Sequence, residues 1–251
     1  MRSEAWQIQG FCLFVGYGRS GHSAIGSVID AHPHAVISHE LNAVKRYFAG
    51  VPRDQLFDEI FETAQFQARN GRTSSKAEGG HYTHRLEGQI KSTRAEIRII
   101  GDKKGAGTTR QIALHGSHAI DSFEAYLGVP LKILHVMRNP FDIVAAGKAR
   151  GHSYFHKSAP LVARLRERRL GEDWLDVYHE EVIAHPTEQL QRILDFLHLP
   201  TLPSHVAAVR DYLYASPRKR REEIEWAPRD KAAVADLIAQ FDHFRRYTWE
   251  S

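Results

Sequence analysis

The chain has 251 residues, a formal net charge of +4 with its 16 histidines counted neutral, and a composition that is 42% hydrophobic and 25% charged. These values are ordinary for a soluble globule with a sizeable core, and the mild positive balance favours anionic ligands without naming one. A single cysteine, Cys12, excludes an intrachain disulfide and a cysteine-based zinc cluster, and the apolar run around Phe11 is too short for a membrane span or a signal core. The expectation is a cytoplasmic protein with no membrane span and no nucleic-acid partner. Strand and helix signals alternate without a long linker, which predicts one α/β domain over residues 1–251.

The first element is the most informative. Phe11 to Val15 has the length and composition of a buried strand, Gly16, Gly18 and Gly21 break it, and helical spacing begins near His22 and continues through Ala24, Ile25, Val28 and Ile29 to Pro33. A strand, a glycine loop and a helix leave backbone N–H groups pointing into a hollow at the positive end of the helix dipole, a seat for phosphate or sulfate. Read as a P-loop, the segment carries His22 where the phosphate-gripping lysine belongs, which argues against an ordinary NTPase. Read as a dinucleotide fingerprint, it finds Glu40 about where a ribose-binding acid is expected, and both readings stay open at this point.

Ala35 to Ser38 reads as a second strand that delivers His39 and Glu40 at its C-terminal end, where open α/β sheets place ligand contacts. A helix is predicted over Leu41 to Phe48, and Pro52 opens another whose inward face is Leu56, Phe57, Ile60, Phe61, Ala64 and Ala68. Asn70 to about Gly80 reads as a mobile loop, followed by His81, Tyr82, His84 and Arg85; a histidine pair alone does not complete a metal set. Glu96 to Ile100 is a third strand candidate with Asp102, Lys103 and Lys104 beyond its end. The acid suits magnesium, and the lysines suit an anion. Thr108 to Leu127 reads as one helix stopped by Gly128.

Lys132 to Met137 is the strongest strand pattern, and it runs into Arg138, Asn139, Pro140, Phe141 and Asp142 with a helix from about Phe141 to Arg150. The arginines at 164, 166, 168 and 169 read as a solvated helix face. Trp174 to Tyr178 is the last strand. The stretch Ser216 to Trp226 holds Arg218, Lys219, Arg220 and Arg221, and Pro228 starts a closing helix with Ala232, Ala233, Leu237, Ile238, Phe241 and Phe244 inward.

Taken together, these blocks resemble the sulfotransferases that use 3′-phosphoadenosine-5′-phosphosulfate (PAPS). GYGRSGHSAIGSVIDAHP is similar to the family's PxRSGTT segment, so Arg19, Ser20, Gly21, His22 and Ser23 would hold the 5′-phosphosulfate. LKILHVMRNPFDIVAA is similar to the second signature, RNPxDxxxS, so Arg138 would hold the 3′-phosphate, while Ala146 stands where the family has serine. GDK at 101–103 resembles the segment whose lysine lies near the transferred sulfuryl group; the threonine and proline that usually follow are replaced by Lys104 and Gly105. VYHEEVIAHPTEQLQRILDFLHLP resembles the block after the last strand, where Tyr178 could approach the nucleotide, and Arg218 to Arg221 match the late basic loop over the 3′-phosphate.

The resemblance implies a three-layer, P-loop-like α/β fold with a central, mainly parallel sheet flanked by helices. It implies transfer of a sulfuryl group from PAPS to a hydroxyl or amine of a small-molecule or glycan acceptor, with PAP as product and no metal required. Arg19 and Lys103 would offset charge on the leaving oxygen and Glu40 would take the acceptor proton, with His39, His81 and His84 in reserve. The acceptor pocket would be built from loops such as Asn70 to Arg85 and His152 to Ala159. The rival readings are a Rossmann-type NAD(P)-dependent oxidoreductase, a P-loop kinase and a non-catalytic nucleotide-binding module.

Overall fold

A computed structural model describes residues 6–71, 85–116, 118–147, 151–213 and 216–251. Its centre is a five-stranded sheet in the order β2-β3-β1-β4-β5, with every pairing parallel. The strands are β1 (Gly10–Gly16), β2 (Ala35–His39), β3 (Ile99–Lys103), β4 (Leu131–Met137) and β5 (Trp174–Tyr178). In the three central strands every residue is buried, because a parallel sheet is covered by helices on both faces.

Alternation along β1 divides the core into two layers. Phe11, Leu13 and Val15 face a layer that includes Phe57 and Ile60 of α3 (Arg53–Asn70), Phe123 of α5 (Ala119–Leu127) and Phe155 of α7 (Gly151–Arg169). Cys12 and Phe14 face the opposite layer, with Ile25 and Ile29 of α1 (His22–Asp30) and Leu190 and Leu194 of α9 (Pro186–Phe196). The remaining helices are α2 (Ala43–Phe48), α4 (Gly105–His115), α6 (Pro140–Ala146), α8 (His179–Ala184), α10 (Pro203–Tyr212) and α11 (Pro228–Gln240). Among the described residues no helix is long and apolar enough to cross a membrane.

Four sequence expectations are corrected. The third strand lies at Ile99–Lys103, so Gly101, Asp102 and Lys103 are inside it and not beyond its end. Gly101 is needed there because a Cβ would lie 2.3 Å from the carbonyl oxygen of Cys12 on the neighbouring strand. The single helix expected over 108–127 is two, separated at Gly116 with φ 81°. The arginines late in α7 are a solvated face only in part: Arg164 and Arg168 are exposed, whereas Arg166 and Arg169 are half-buried and pair with Asp176 and Glu124, each at 2.6 Å. In α11 the buried positions are Val234, Leu237 and Ile238, and Ala232 lies on the exposed side.

Three buried histidines make the fold acid-sensitive. Burial pushes His179 and His243 down to about 3, with the nearby Arg138 and His135 adding to the respective shifts, and burial takes His32 to about 4. A histidine with its folded pKa below the unfolded value of about 6.5 contributes stability that is fully present above 6.5 and is lost as pH falls towards the folded value. Asp30, raised to about 6 by burial, works the other way between its unfolded value and pH 6. His179 alone is expected to cost about 2 kcal/mol on going from pH 6.5 to 5, so the melting temperature should drop by several degrees between pH 7.5 and 5. Equal melting temperatures in thermal scans at the two pH values would contradict the burial of these imidazoles in neutral form.

Candidate active site

The site is assembled at the C-terminal ends of the strands. β1 ends at Gly16, whose register partner on β4 is Val136, so the loop after β1 and Arg138, just past the end of β4, emerge side by side. Because β1 connects to β2 on one side of it and β4 lies on the other, the strand order reverses here and opens the crevice in which α/β proteins bind ligands.

The loop turns through left-handed backbone at Arg19 (φ 72°) and Gly21 (φ 91°) and enters α1 directly. No side chain caps that helix, which leaves its first amides facing the loop. Ser20 is fully buried and donates its hydroxyl to the Tyr17 carbonyl at 3.0 Å, and its Oγ also lies 2.9 Å from His22 Nδ1. His22, at the position of the P-loop lysine, is thereby turned back on the loop. Thr109 fixes the loop entrance, accepting from the Gly16 amide at 3.2 Å and donating to the Gly16 carbonyl at 2.9 Å. Arg19 is exposed and reaches the Ala146 carbonyl at 3.4 Å, so the position without the expected serine supplies a backbone acceptor.

On the β3 side, Lys103 is completely buried, with its stem against Gly26 of α1, where a Cβ would lie 2.9 Å from Lys103 Cγ. Its ammonium donates to Glu40 Oε1 at 2.9 Å, and Lys104 donates to Glu40 Oε2 at 2.5 Å. Burial alone would raise the Glu40 carboxyl; the charges and hydrogen bonds of Lys103 and Lys104 outweigh it and hold the group far below the ordinary carboxylate range. The turn carrying Glu40 (φ 75°) and Asn42 (φ 67°) is pinned by Asp102, which accepts from the amides of Leu41 and Ala43 and from the Ser38 hydroxyl at 2.8–3.1 Å. Asp102 is therefore a backbone anchor, and the magnesium-holding role open to it in the sequence has no support in its contacts.

On the β4 side, Arg138 is 9% exposed, with Nε 3.6 Å from Asp142 Oδ2 and a terminal nitrogen donating to the Arg218 carbonyl. Burial lowers its pKa, opposed by Asp142 and Glu180. The basic quartet is thus docked beside Arg138 through backbone, while its side chains divide. Arg218 and Arg220 pair with Glu223 at 2.6 and 2.9 Å, and Lys219 donates to the Glu250 carbonyl at 3.0 Å. Arg221 is a correction to the expected phosphate set: it is 1% exposed and binds Asp142 through both its amide (2.9 Å) and guanidinium (2.8 Å), with further bonds to the carbonyls of Trp249 and Ser251. It is a structural pin. Tyr178 carries the Arg246 guanidinium 4.1 Å from its ring centroid.

Two residues with no role assigned from sequence complete the surroundings. Asp142 joins Arg138 to Arg221, and its presence inside RNPFD was the only sequence signal for it. His179, the first residue of α8, packs its ring against Gly21, so that a Cβ there would lie 2.3 Å from His179 Nδ1. Nothing local in the sequence marks that meeting. His39 is buried at the end of β2, and His81 and His84 lie outside the described residues.

One large cavity among the described residues lies elsewhere. About 870 Å³ in volume, it lies between α11 and the 245–249 segment, lined by Phe141, Lys231, Ala235, Ile238 and Trp249 among others. Its walls are mainly apolar, whereas Arg19, Lys103 and Arg138 are polar groups at or just past the C-terminal ends of β1, β3 and β4.

Comparison with solved structures matches this architecture. The sulfotransferase domain from the curacin biosynthetic pathway superposes with a TM-score of 0.54 at 11% identity, covering 96% of this chain and 99% of that one. The chain has the sulfotransferase fold. A sulfotransferase from Mycobacterium avium gives 0.52 at 10% identity over 95% and 78% of the two chains, and one from Alicyclobacillus acidocaldarius 0.50 at 14% over 98% and 100%. No protein-family model and no curated protein matches the sequence. The sulfotransferase fold is therefore carried here on a sequence whose likeness is confined to short blocks.

Proposed function

We propose that the chain is a PAPS-dependent sulfotransferase acting on a hydroxyl or amine of a small-molecule or glycan acceptor. The observation that carries this reading is that the uncapped helix N-terminus behind the glycine loop and Arg138 emerge from the ends of adjacent strands, an arrangement that would offer a donor two anion seats. The residues fit such a donor: Arg138 Nε is buried without a hydrogen bond, and the amides from Arg19 to Ser23 line the loop. The donor supplies the sulfuryl group. The chain's part is to hold both phosphate ends, to place Lys103 and Arg19 by the developing negative charge, and to offer Glu40 for the acceptor proton.

The rival readings are less well supported. In a Rossmann dinucleotide fold the second strand lies beside the first; here β3 separates them, and Glu40 is held by two lysines. A kinase needs the P-loop lysine and a magnesium acid, and His22 and Asp102 are otherwise engaged.

PAP is expected to raise the melting temperature well beyond ATP or NAD at equal concentration, and Arg138→Ala to weaken PAP binding by about 1.5–3 kcal/mol, the cost of a charged hydrogen bond. Calorimetric titration checks the second figure. A larger thermal shift with NAD, or unchanged PAP affinity in the variant, would remove the donor assignment.

A further inference from the structure

Beside the glycine loop lies a buried imidazole that the sequence did not single out. His179 Nδ1 is shielded from solvent and has no hydrogen-bond partner. Leaving such an atom unpaired is costly, so a persistent unpaired one at a ligand site asks for an account. This nitrogen faces Gly21, the left-handed residue at which the loop becomes α1. The α1 N-terminus has no side-chain cap, and His179 comes from the far side of the crevice, at the end of β5. The ring is neutral at physiological pH, because burial and the nearby Arg138 both oppose a second proton. A neutral imidazole keeps one N–H, and the tautomer with hydrogen on Nδ1 turns it toward the loop.

The geometry points to His179 as an anion-contact residue of the donor site: its Nδ1–H completes the ring of donors at the α1 N-terminus by binding an oxygen of the group seated on the loop amides. The inference rests on the anion-binding reading of the loop, and it adds a residue to which the resemblance assigns no role. It also accounts for glycine at position 21, where any side chain would occupy the space between the ring and the loop.

The test uses the intact chain and two probes, PAP and inorganic pyrophosphate, titrated into the wild type, His179→Phe, His179→Asn and His179→Gln. An asparagine amide reaches the place of Nδ1 and a glutamine amide the place of Nε2. Phe should weaken both probes about tenfold or more, the loss of a hydrogen bond to a charged group, and Gln should do likewise, while Asn stays within about threefold of wild type. A packing role alone predicts the reverse order, because Phe fills the space and Asn does not. Wild-type affinity in His179→Phe, or Asn as weak as Phe, overturns the assignment and leaves the PAPS reading standing. The same Phe and Asn pattern with pyrophosphate but no PAP binding by wild type removes PAPS and keeps His179; binding of neither probe removes both. Should His179→Phe fail to fold, the imidazole ¹⁵N shifts of the wild type are read instead: Nδ1 must move on adding the anion, and an unmoved Nδ1 overturns the assignment.

Discussion

Gly21→Ala is expected to cut PAP affinity by about a hundredfold or more. Two costs act at one atom. The backbone there is left-handed at φ 91°, a conformation that costs an L-residue about 1–2 kcal/mol, and a new Cβ would lie 2.3 Å from His179 Nδ1, an overlap whose relief typically costs about 1–3 kcal/mol more. The chain can escape both by unwinding the turn. That escape moves the amides that form the anion seat, so the cost is felt in binding more than in folding. Gly18→Ala is the matched control: the nearest atom to its added Cβ is Ala106 Cβ at 4.0 Å, and affinity should stay within about threefold. Calorimetric titration of the pair with PAP decides, and a Gly21→Ala protein that binds as tightly as wild type would place the donor somewhere other than this loop.

That turn shows what could and could not be read from the chain alone. The strand Phe11 to Val15, the glycine break and the helix after it were legible because each is a local pattern, and the same holds for the strand before Arg138. The third strand was misplaced because buried Asp102 and Lys103 look like solvent-facing loop residues, and Gly101 like a breaker. All three are explained only by partners distant in sequence: the Cys12 carbonyl, the turn after β2, and Glu40. The meeting of His179 with Gly21 is of the same kind, set by how α8 leaves β5. Arg221 shows the opposite error. Its composition-level signal matched its three neighbours, yet a carboxylate from a different element, Asp142, takes it into the core. Local pattern thus supplied the elements and the order of the motifs, and pairing across the sheet decided which charged residues were spent on the fold.

Pairing also determines how Glu40 can act, and the expected outcome for Glu40→Gln is a fall in turnover on the order of a hundredfold with PAP affinity nearly intact. The carboxylate is bonded at 2.9 Å to the buried Lys103 and at 2.5 Å to Lys104, which keeps it ionised throughout the ordinary pH range but makes it a weak proton acceptor while both contacts last. In the proposed transfer, negative charge on the leaving oxygen would give the lysines a second anion to serve, and the carboxylate would regain basicity when the acceptor proton must leave. A pH–rate profile separates this from a histidine base. With its folded pKa below the ordinary carboxylate range, Glu40 loses its role only in strong acid, so turnover of the folded enzyme should hold level from pH 7.5 down to 5.5. A histidine base of ordinary pKa would halve the rate near 6.5. Glu40→Gln also leaves Lys103 buried beside a neutral amide, which favours its deprotonation; residual activity in the variant should therefore fall as pH rises, where wild type is flat. Full turnover in Glu40→Gln, or a wild-type profile that declines below pH 6.5 while the fold remains intact, would pass the proton to a histidine and leave Glu40 as the counter-ion that holds Lys103 in place.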